Sequence, residues 1–471
     1  MIQYMKVLLV LPEINSGCQW NVGLAYLAAV LKRGGHSVGL FEVNDWAADL
    51  PRFLAVIKNQ QPSLVGLTAN SHQFVYVKEL AREIKKTADV FIAVGGVHAI
   101  LKPESFVDET AIDAICVGEG EASFLELADR LAGGREYFDV KNFWFRKGKE
   151  MVKNELAPLA GDLDSLPMPD RTIFRYFAEP GKKTPRFIFS RGCPFECTYC
   201  CNHALKKIYK GPGGYVRWRS VELALREIEQ LKSRYDFNYF KLDDDTFSLN
   251  KIWLKEFCEK LIKKNWGLTF ECNIRPGTID EEGTELLKEA GCRMVKIGIE
   301  AGNSDLRRRV LSRYFSDEDI IKTFALAKRF GIKTFSFNMI GVPEETSATI
   351  ADTVKLNQEI RPDFMQVTAF YPYPLTVLGE LCSAKGYIGG DSEDSYMEKS
   401  ALTLPTISRR EIERAVRNFK FNVYWAYNKK KALAEIGERL KKRVIKNPVL
   451  HQLAKWGYRG ARKLSAILRH N

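Results

Sequence analysis

The sequence predicts an α/β protein built from two sheet-bearing domains and a basic helical tail. Three observations lead there. Apolar runs of strand length alternate with helical patterns over residues 1–135, a second such series begins at 186, and the net positive charge is confined to the C-terminal end. Strands buried on both faces read as continuous apolar runs, and the helices between them supply the crossovers of a parallel sheet.

In the first series, strands are expected at KVLLVL (6–11), SVGLF (37–41), LVGLT (64–68), VFIAV (90–94) and AICV (114–117). Helices are expected around 21–34, 50–59, 74–87, 103–109 and 121–132. The pattern is that of a doubly wound sheet, Rossmann- or flavodoxin-like, although no G-x-G-x-x-G follows the first strand. Residues 136–184 carry Asp162, Asp164, Pro167, Pro169 and Gly181 and read as a linker with a small hairpin.

The second domain is expected over 185–375. Its strands are RFIFS (186–190), YFKL (239–242), LTFECN (268–273), MVKIGI (294–299), TFSFNMI (334–340) and FMQVTAF (364–370). Helices fall near 219–235, 250–264, 280–290, 316–330 and 346–360. This spacing fits a partial (β/α)6 barrel better than a complete eight-fold one, with chemistry at the C-terminal strand ends. Residues 376–471 form a C-terminal region, irregular to about 400 and helical from 408, with a break at Asn447–Pro448.

A chain of 471 residues has room for two or three domains. No apolar run is long enough to span a bilayer, and the N-terminus MIQYMKVLLVLPEIN lacks a cleavage signal. The expected compartment is the cytoplasm, where the ten cysteines stay reduced. Residues 401–471 hold 18 Lys/Arg against 4 Asp/Glu, while the remainder holds 53 against 54, so the basicity belongs to the tail.

Six cysteines (Cys18, Cys116, Cys258, Cys272, Cys292, Cys382) are scattered; the other four crowd between 193 and 201. Directly after the strand at 186–190 stands Ser190-Arg191-Gly192-Cys193-Pro194-Phe195-Glu196-Cys197-Thr198-Tyr199-Cys200-Cys201. The spacing C-x3-C-x2-C lets three thiolates hold three irons of a [4Fe–4S] cubane and leaves the fourth iron open for a small chelating ligand. S-adenosylmethionine (SAM) suits it through its amino and carboxylate groups. A zinc site completed by His203 or Cys201 is the alternative. Cys201 reads as non-ligating, because adjacent cysteines do not readily face one cluster corner.

This loop, with Tyr199 just before the last cysteine, resembles that of the radical SAM superfamily. The resemblance implies that Cys193, Cys197 and Cys200 hold the cluster and that Tyr199 lies near adenine. It extends to later strand ends: Leu242-Asp243-Asp244-Asp245-Thr246-Phe247, Asn273-Ile274-Arg275, Ile297-Gly298-Ile299-Glu300 and Met339-Ile340-Gly341-Val342-Pro343-Glu344-Glu345-Thr346. SAM then offers an ammonium to Asp244 or Asp245, a carboxylate to Arg275 and ribose hydroxyls to Glu300, with Gly341 backbone against adenine. Each has an ordinary alternative: the aspartates as helix caps, Glu300 as a rim ion pair.

In the first domain the strand ends carry Thr68-Ala69-Asn70-Ser71, Gly95-Gly96-Val97-His98 and Val117-Gly118-Glu119-Gly120-Glu121. An open parallel sheet binds ligands at such ends, and glycine lets a ligand approach the backbone. Residues 5–135 resemble the cobalamin-binding domain found before many radical SAM domains. The resemblance implies corrinoid contacts from Thr68, Asn70, Ser71, Gly95, Gly96, His98, Gly118, Glu119 and Gly120. The loop Leu11–Gly17 lacks the D-x-H-x-x-G histidine, so cobalt is expected to have no protein histidine beneath it. His98 is expected to be a packing or ligand-edge residue, not an axial ligand. A scaffold role without cobalamin is the alternative.

Together the two resemblances imply cobalamin-dependent C-methylation of an unactivated carbon after SAM cleavage. Radical cyclisation or rearrangement with the same cofactors is the second outcome, and a non-enzymatic corrinoid or Fe–S protein the third. A flavodoxin or ferredoxin is expected to supply electrons. A tRNA methylthiotransferase is disfavoured, since only Cys18 and Cys116 precede residue 193. In the tail, KKKALAEIGERLKKRVIK (429–446) sets Leu433, Ile436, Leu440 and Val444 on one helical face among basic residues. Trp456, Tyr458, Leu464, Ile467 and Leu468 follow. Contact of 429–471 with a membrane surface at its inner face, packing on the barrel, and nucleic-acid binding remain open, the last the least favoured. A membrane contact would suit a lipid-like substrate.

Overall fold

The structure is a computed structural model that describes residues 4–14, 20–209, 214–389, 397 and 399–446. The N-terminal sheet contains β1 (Lys6–Pro12), β2 (Ser37–Val43), β3 (Leu64–Thr68), β4 (Phe91–Gly95), β5 (Ala114–Cys116), β6 (Phe143–Lys147) and β7 (Glu150–Lys153). Its order is β2-β1-β3-β4-β5-β6-β7. β1 to β5 pair in parallel, and β6 and β7 add an antiparallel hairpin at the edge. The order 2-1-3-4-5 is the flavodoxin-like version of the doubly wound sheet. The sheet therefore continues past residue 135 to Lys153, and the hairpin expected in the linker belongs to it.

One helix differs from expectation. In place of 103–109 there is a short helix Val97–Leu101 and a 3-10 turn Pro103–Phe106. Pro103 cannot donate to a continuing helix, and Lys102 before it takes φ −145°, outside the helical region.

The second domain is a parallel sheet of β8 (Arg186–Phe187), β11 (Tyr239–Leu242), β12 (Thr269–Ile274), β13 (Cys292–Glu300), β14 (Lys333–Ile340) and β15 (Phe364–Ala369), in the order β15-β14-β13-β12-β11-β8. These are the strands of a six-unit partial barrel. The expected strand 186–190 is split: Ser190–Arg191 (β9) leaves the barrel and pairs antiparallel with Arg217–Trp218 (β10). That two-residue ladder brackets the segment holding the crowded cysteines. After the barrel, the expected irregular stretch contains a helix, Val377–Ala384, started by the Thr376 side chain. Helix Arg409–Trp425 opens with a capping box of Ser408 and Glu411 and packs against helix Lys429–Lys446. Residues 447–471, with the predicted break at Pro448 and the aromatics beyond it, lie outside the described residues, as does Cys18.

Residues 154–184 act as a clamp. Phe174 and Phe177 are buried in a core that runs without interruption from β1 of the first domain to the barrel, and both meet Trp20 edge-on. Beside them lies a buried ion network. Glu227 pairs with Arg171 at 2.7 Å and Arg219 at 3.3 Å, and both arginines are 2 % exposed. Arg219 also donates to Tyr26 Oη at 2.9 Å and to the Leu166 carbonyl at 2.7 Å, so one guanidinium ties the first domain, the connector and the barrel together. Removing the buried acid from such a group leaves Arg171, and most of Arg219, buried without compensation, at a cost of about 3–5 kcal/mol. Glu227→Ala should therefore lower the urea midpoint of the apo-protein sharply, while Lys264→Ala, whose partner Glu229 is exposed, should leave it nearly unchanged.

Candidate active site

The carboxyl ends of the N-terminal strands face the β9–β10 ladder across a cavity of about 490 Å³. Both domains line it. Thr68, Asn70, Gly95, Gly96, Gly118, Glu119 and Gly120 contribute from the first, and Ser190, Arg191, Gly192, Asn202 and Asp245 from the second. Gly96 has φ +93°, and a Cβ there would lie 2.6 Å from the Ala69 carbonyl oxygen, so the β3 and β4 ends close up only around glycine. Asn70 Oδ1 accepts from the His72 and Gln73 amides at 2.9 and 3.0 Å, starting the next helix at the cavity wall.

Ser71 and His98 are not brought to the cavity. His98 Nδ1 is 3.1 Å from Ser71 Oγ and Nε2 is 3.1 Å from Ser105 Oγ. Its ring stacks on Phe74 at 4.4 Å. Burial, with Lys102 nearby, depresses its pKa to about 4, so the ring is neutral. Both nitrogens being engaged, His98 is a packing residue inside the first domain, the first of its two expected roles, and not a ligand-edge contact.

The cysteine loop is gathered by its flanks. Gly192 takes φ +85°, and a Cβ would meet the Tyr215 carbonyl oxygen at 2.4 Å. Arg191 and Arg217, paired across the ladder, both reach the first domain. Arg217 grips Glu119 at 2.7 and 3.0 Å, and Arg191 contacts Glu119 at 3.1 Å and Glu121 at 2.5 Å. Burial alone would raise Glu119; the Arg217 hydrogen bonds and the two guanidinium charges outweigh it and hold the carboxyl below its ordinary range.

Cys193, Cys197, Cys200 and Cys201 are free thiols. Arg275 Nη1 lies 3.5 Å and Arg313 Nη1 3.8 Å from Cys197 Sγ, so two cations face one sulfur. Burial, the Phe195 amide and the charges of Asp245, Cys200 and Cys197 act on Cys193, and burial wins, lifting it to about 11 without a metal. The hydrogen bond with Cys201, then burial, raises Cys200. Among the described residues no three His, Cys, Asp or Glu side chains close to the spacing of a single bound ion. A cubane, with irons at its corners, holds its thiolates farther apart than one ion does.

The three neighbouring aspartates do different things. Asp243 pairs with Arg186. Asp244 is fully buried, and its Oδ1 accepts from the Phe189 and Ser190 amides at 2.9 and 2.6 Å and from Ser190 Oγ at 2.5 Å. It fixes the bend where β8 gives way to β9. Asp245 turns to the cavity and accepts from Asn202 Nδ2 at 2.9 Å. None caps a helix; Asn250 does that. Of the two aspartates expected at an ammonium, only Asp245 lines the open space.

Tyr199, Glu300 and Arg313 form a buried group beneath the loop. Arg313 donates to Tyr199 Oη at 2.8 Å and lies 3.8 Å from Glu300. Burial raises Glu300 against the pull of Arg313 and Tyr199. Glu300 has φ +69°, a left-handed conformation costly for its side chain and typical of sites where geometry matters more than stability. Arg275 stacks 3.8 Å over the Phe195 ring. Gly341 has φ +87°; its amide donates to the buried Glu345 carboxylate, and a Cβ would meet Ile412 at 2.9 Å. Sequence reasoning missed Arg191, Arg217, Asn202 and Arg313. Arg191 stands in the cysteine-loop motif without a metal-ligating side chain, the others stand outside any motif, and their partners lie up to 116 residues away in the chain.

Residues 187–356 match the radical SAM superfamily and residues 16–128 match the B12 binding domain. An uncharacterized methyltransferase, PH0819, of Pyrococcus horikoshii is 30 % identical over 405 residues, covering 82 % of this chain and 85 % of that protein. The chain belongs to the radical SAM superfamily, in the group that carries a B12-binding domain ahead of the barrel. The anaerobic magnesium-protoporphyrin IX monomethyl ester cyclase of Rubrivivax gelatinosus is 30 % identical over 397 residues, 79 % of this chain and 69 % of that one. The structure of the cobalamin-dependent SAM radical enzyme OxsB with aqua-cobalamin and SAM bound shares the fold, with TM-score 0.71 and 15 % identity over 97 % of this chain and 75 % of that one.

Asp244 gives a test of the loop's anchoring. Burial raises its pKa to about 7, from about 3.9 in an unfolded chain. Between those values the folded protein holds a proton that the unfolded chain has released, so stability falls as pH rises through this window. Asp244→Asn keeps an acceptor oxygen but cannot ionise. Urea unfolding of the two apo-proteins should show the wild type losing stability relative to the variant from pH 5 to 8.

Proposed function

We propose that this chain is a cobalamin-dependent radical SAM C-methyltransferase that cleaves SAM reductively and methylates an unactivated carbon. The observation that carries the reading is the shared cavity: the strand ends suited to a corrinoid and the flanks of the cysteine loop, Arg191, Gly192 and Asn202, line the same space. The residues fit both groups. Three free thiols stand at C-x3-C-x2-C on one bracketed loop, and the second domain's side of the cavity wall contains buried polar atoms without hydrogen-bond partners among the described residues, Tyr209 Oη and Arg217 Nε.

In this reading Cys193, Cys197 and Cys200 hold the [4Fe–4S] cluster; Thr68, Asn70, Gly95, Gly96, Gly118, Glu119 and Gly120 border the corrinoid. Bound there, the cluster supplies a low-potential electron to SAM and the corrinoid supplies a methyl group. The chain's own residues do the positioning. Arg275 and Arg313 stabilise negative charge at Cys197. Asp245 offers a carboxylate to the SAM ammonium, and Tyr199, Glu300 and Gly341 frame its nucleoside. Burial of Glu300 and Arg313 keeps water from the radical's path. A flavodoxin or ferredoxin delivers the electrons. The likeness to the protoporphyrin ester cyclase supports a second outcome, in which the same radical start leads to ring closure.

The tail completes the proposal. Among the described residues no helix is long and apolar enough to cross a membrane. Helix Lys429–Lys446 nevertheless exposes Leu433, Ile436 and Leu440, at i, i+3 and i+7, within a strongly basic sequence. We place this face against an anionic lipid surface at the inner side of the membrane, where an amphiphilic substrate would be met.

Anaerobically reconstituted full-length protein should bind about four irons per chain and, with SAM, hydroxocobalamin and a reductant, release 5′-deoxyadenosine. Cys197→Ala should abolish that release. With methyl-labelled SAM and an extract of cells lacking the chain, a product should gain one labelled methyl group. Intact SAM in the wild-type reaction would overturn the assignment, and 5′-deoxyadenosine with an unmethylated cyclic product would move it to the second outcome.

A further inference from the structure

The helix Cys201–Ile208 joins the two halves of the site. Cys200 stands at its N-cap, and Tyr209 closes its other end, where the Tyr209 amide donates to the Leu205 carbonyl at 3.0 Å. Eight helical residues span about 12 Å. The helix thus begins at the cysteine loop and ends in the wall of the shared cavity.

Tyr209 Oη is buried there and has no hydrogen-bond partner among the described residues. Its neighbourhood holds Glu119, Cys116, Glu121 and Arg217. The obvious partners are taken. Glu119 accepts from Arg217 and Arg191, and Glu121 from Arg191. Burial raises the phenol's pKa further above its ordinary value, so the group stays a neutral hydroxyl with a proton to donate. A buried donor without an acceptor destabilises the protein that carries it. Phenylalanine would fill the same space without that penalty, so the hydroxyl points to a ligand that accepts from it.

We infer that Tyr209 donates a hydrogen bond to a carbonyl on the amide-bearing rim of the bound corrinoid, and that the helix behind it transmits corrinoid occupancy to the cysteine loop. The inference rests on the corrinoid occupying the cavity. Tyr209 is then a positioning residue: it touches the cofactor and acts on the cluster through the helix.

The test uses the full-length reconstituted protein and Tyr209→Phe, with hydroxocobalamin as the probe. Tryptophan quenching should show the variant binding roughly three- to tenfold more weakly, the worth of one hydrogen bond. The melting temperature of the corrinoid-free variant should equal or exceed that of the wild type, while the rise on adding hydroxocobalamin should shrink. Electron paramagnetic resonance of the reduced cluster should change on corrinoid addition in the wild type and change less in the variant at saturating corrinoid. Equal affinity in the two proteins overturns the inference. So does weaker binding matched by an equal fall in corrinoid-free stability, which marks a structural role, or an undiminished cluster response. A flat wild-type titration is a different result: it removes the corrinoid from the cavity and with it the proposed function.

Discussion

Arg191 and Arg217 hold this molecule's chemistry in one place. They face each other across a two-residue ladder, so they fix the ends of the cysteine loop. Their guanidinium groups meet at Glu119, in the glycine turn after β5 of the other domain. Two cations share one carboxylate in a partly buried setting, where ion pairs are screened little and geometry is exacting. The loop could otherwise hinge about Gly192. The pairing ties it to the first domain at the point where the N-terminal sheet opens its ligand crevice.

Neighbouring residues just beyond one strand end serve opposite purposes. Asp244 looks inward and spends its Oδ1 on the Phe189 and Ser190 amides; Asp245, one residue on, looks into the cavity. Beyond the Leu64–Thr68 strand, the cavity-lining Asn70 likewise stands next to Ser71, which turns to His98.

These particulars show what was legible in the sequence. The parallel sheets were, because strands buried on both faces leave continuous apolar runs and the intervening helices keep their period. The crowding of four cysteines on one loop was too, since it is a matter of local spacing. Side-chain facing just beyond a strand end was not: the runs locate the end but not the direction of Asp244 or His98, which depends on the loop or short helix that follows and the neighbours it meets. The connector was misjudged for a related reason. Pro167, Pro169 and Gly181 read as a spacer, yet Phe174, Phe177 and Arg171 among them find their partners only in the assembled core. Arg191, Arg217 and Arg313 look like ordinary basic residues until chain segments about 70 to 116 residues apart are brought together.

The central claim is that the Glu119–Arg191–Arg217 contact holds the cysteine loop against the cavity proposed for the corrinoid. The direct measurement is the spin relaxation of cob(II)alamin in protein whose [4Fe–4S] cluster is reduced. The account predicts faster relaxation than with the cluster oxidised, and loss of most of that enhancement in Glu119→Gln, with corrinoid still bound. An enhancement absent from the wild type, or undiminished in the variant, would contradict it.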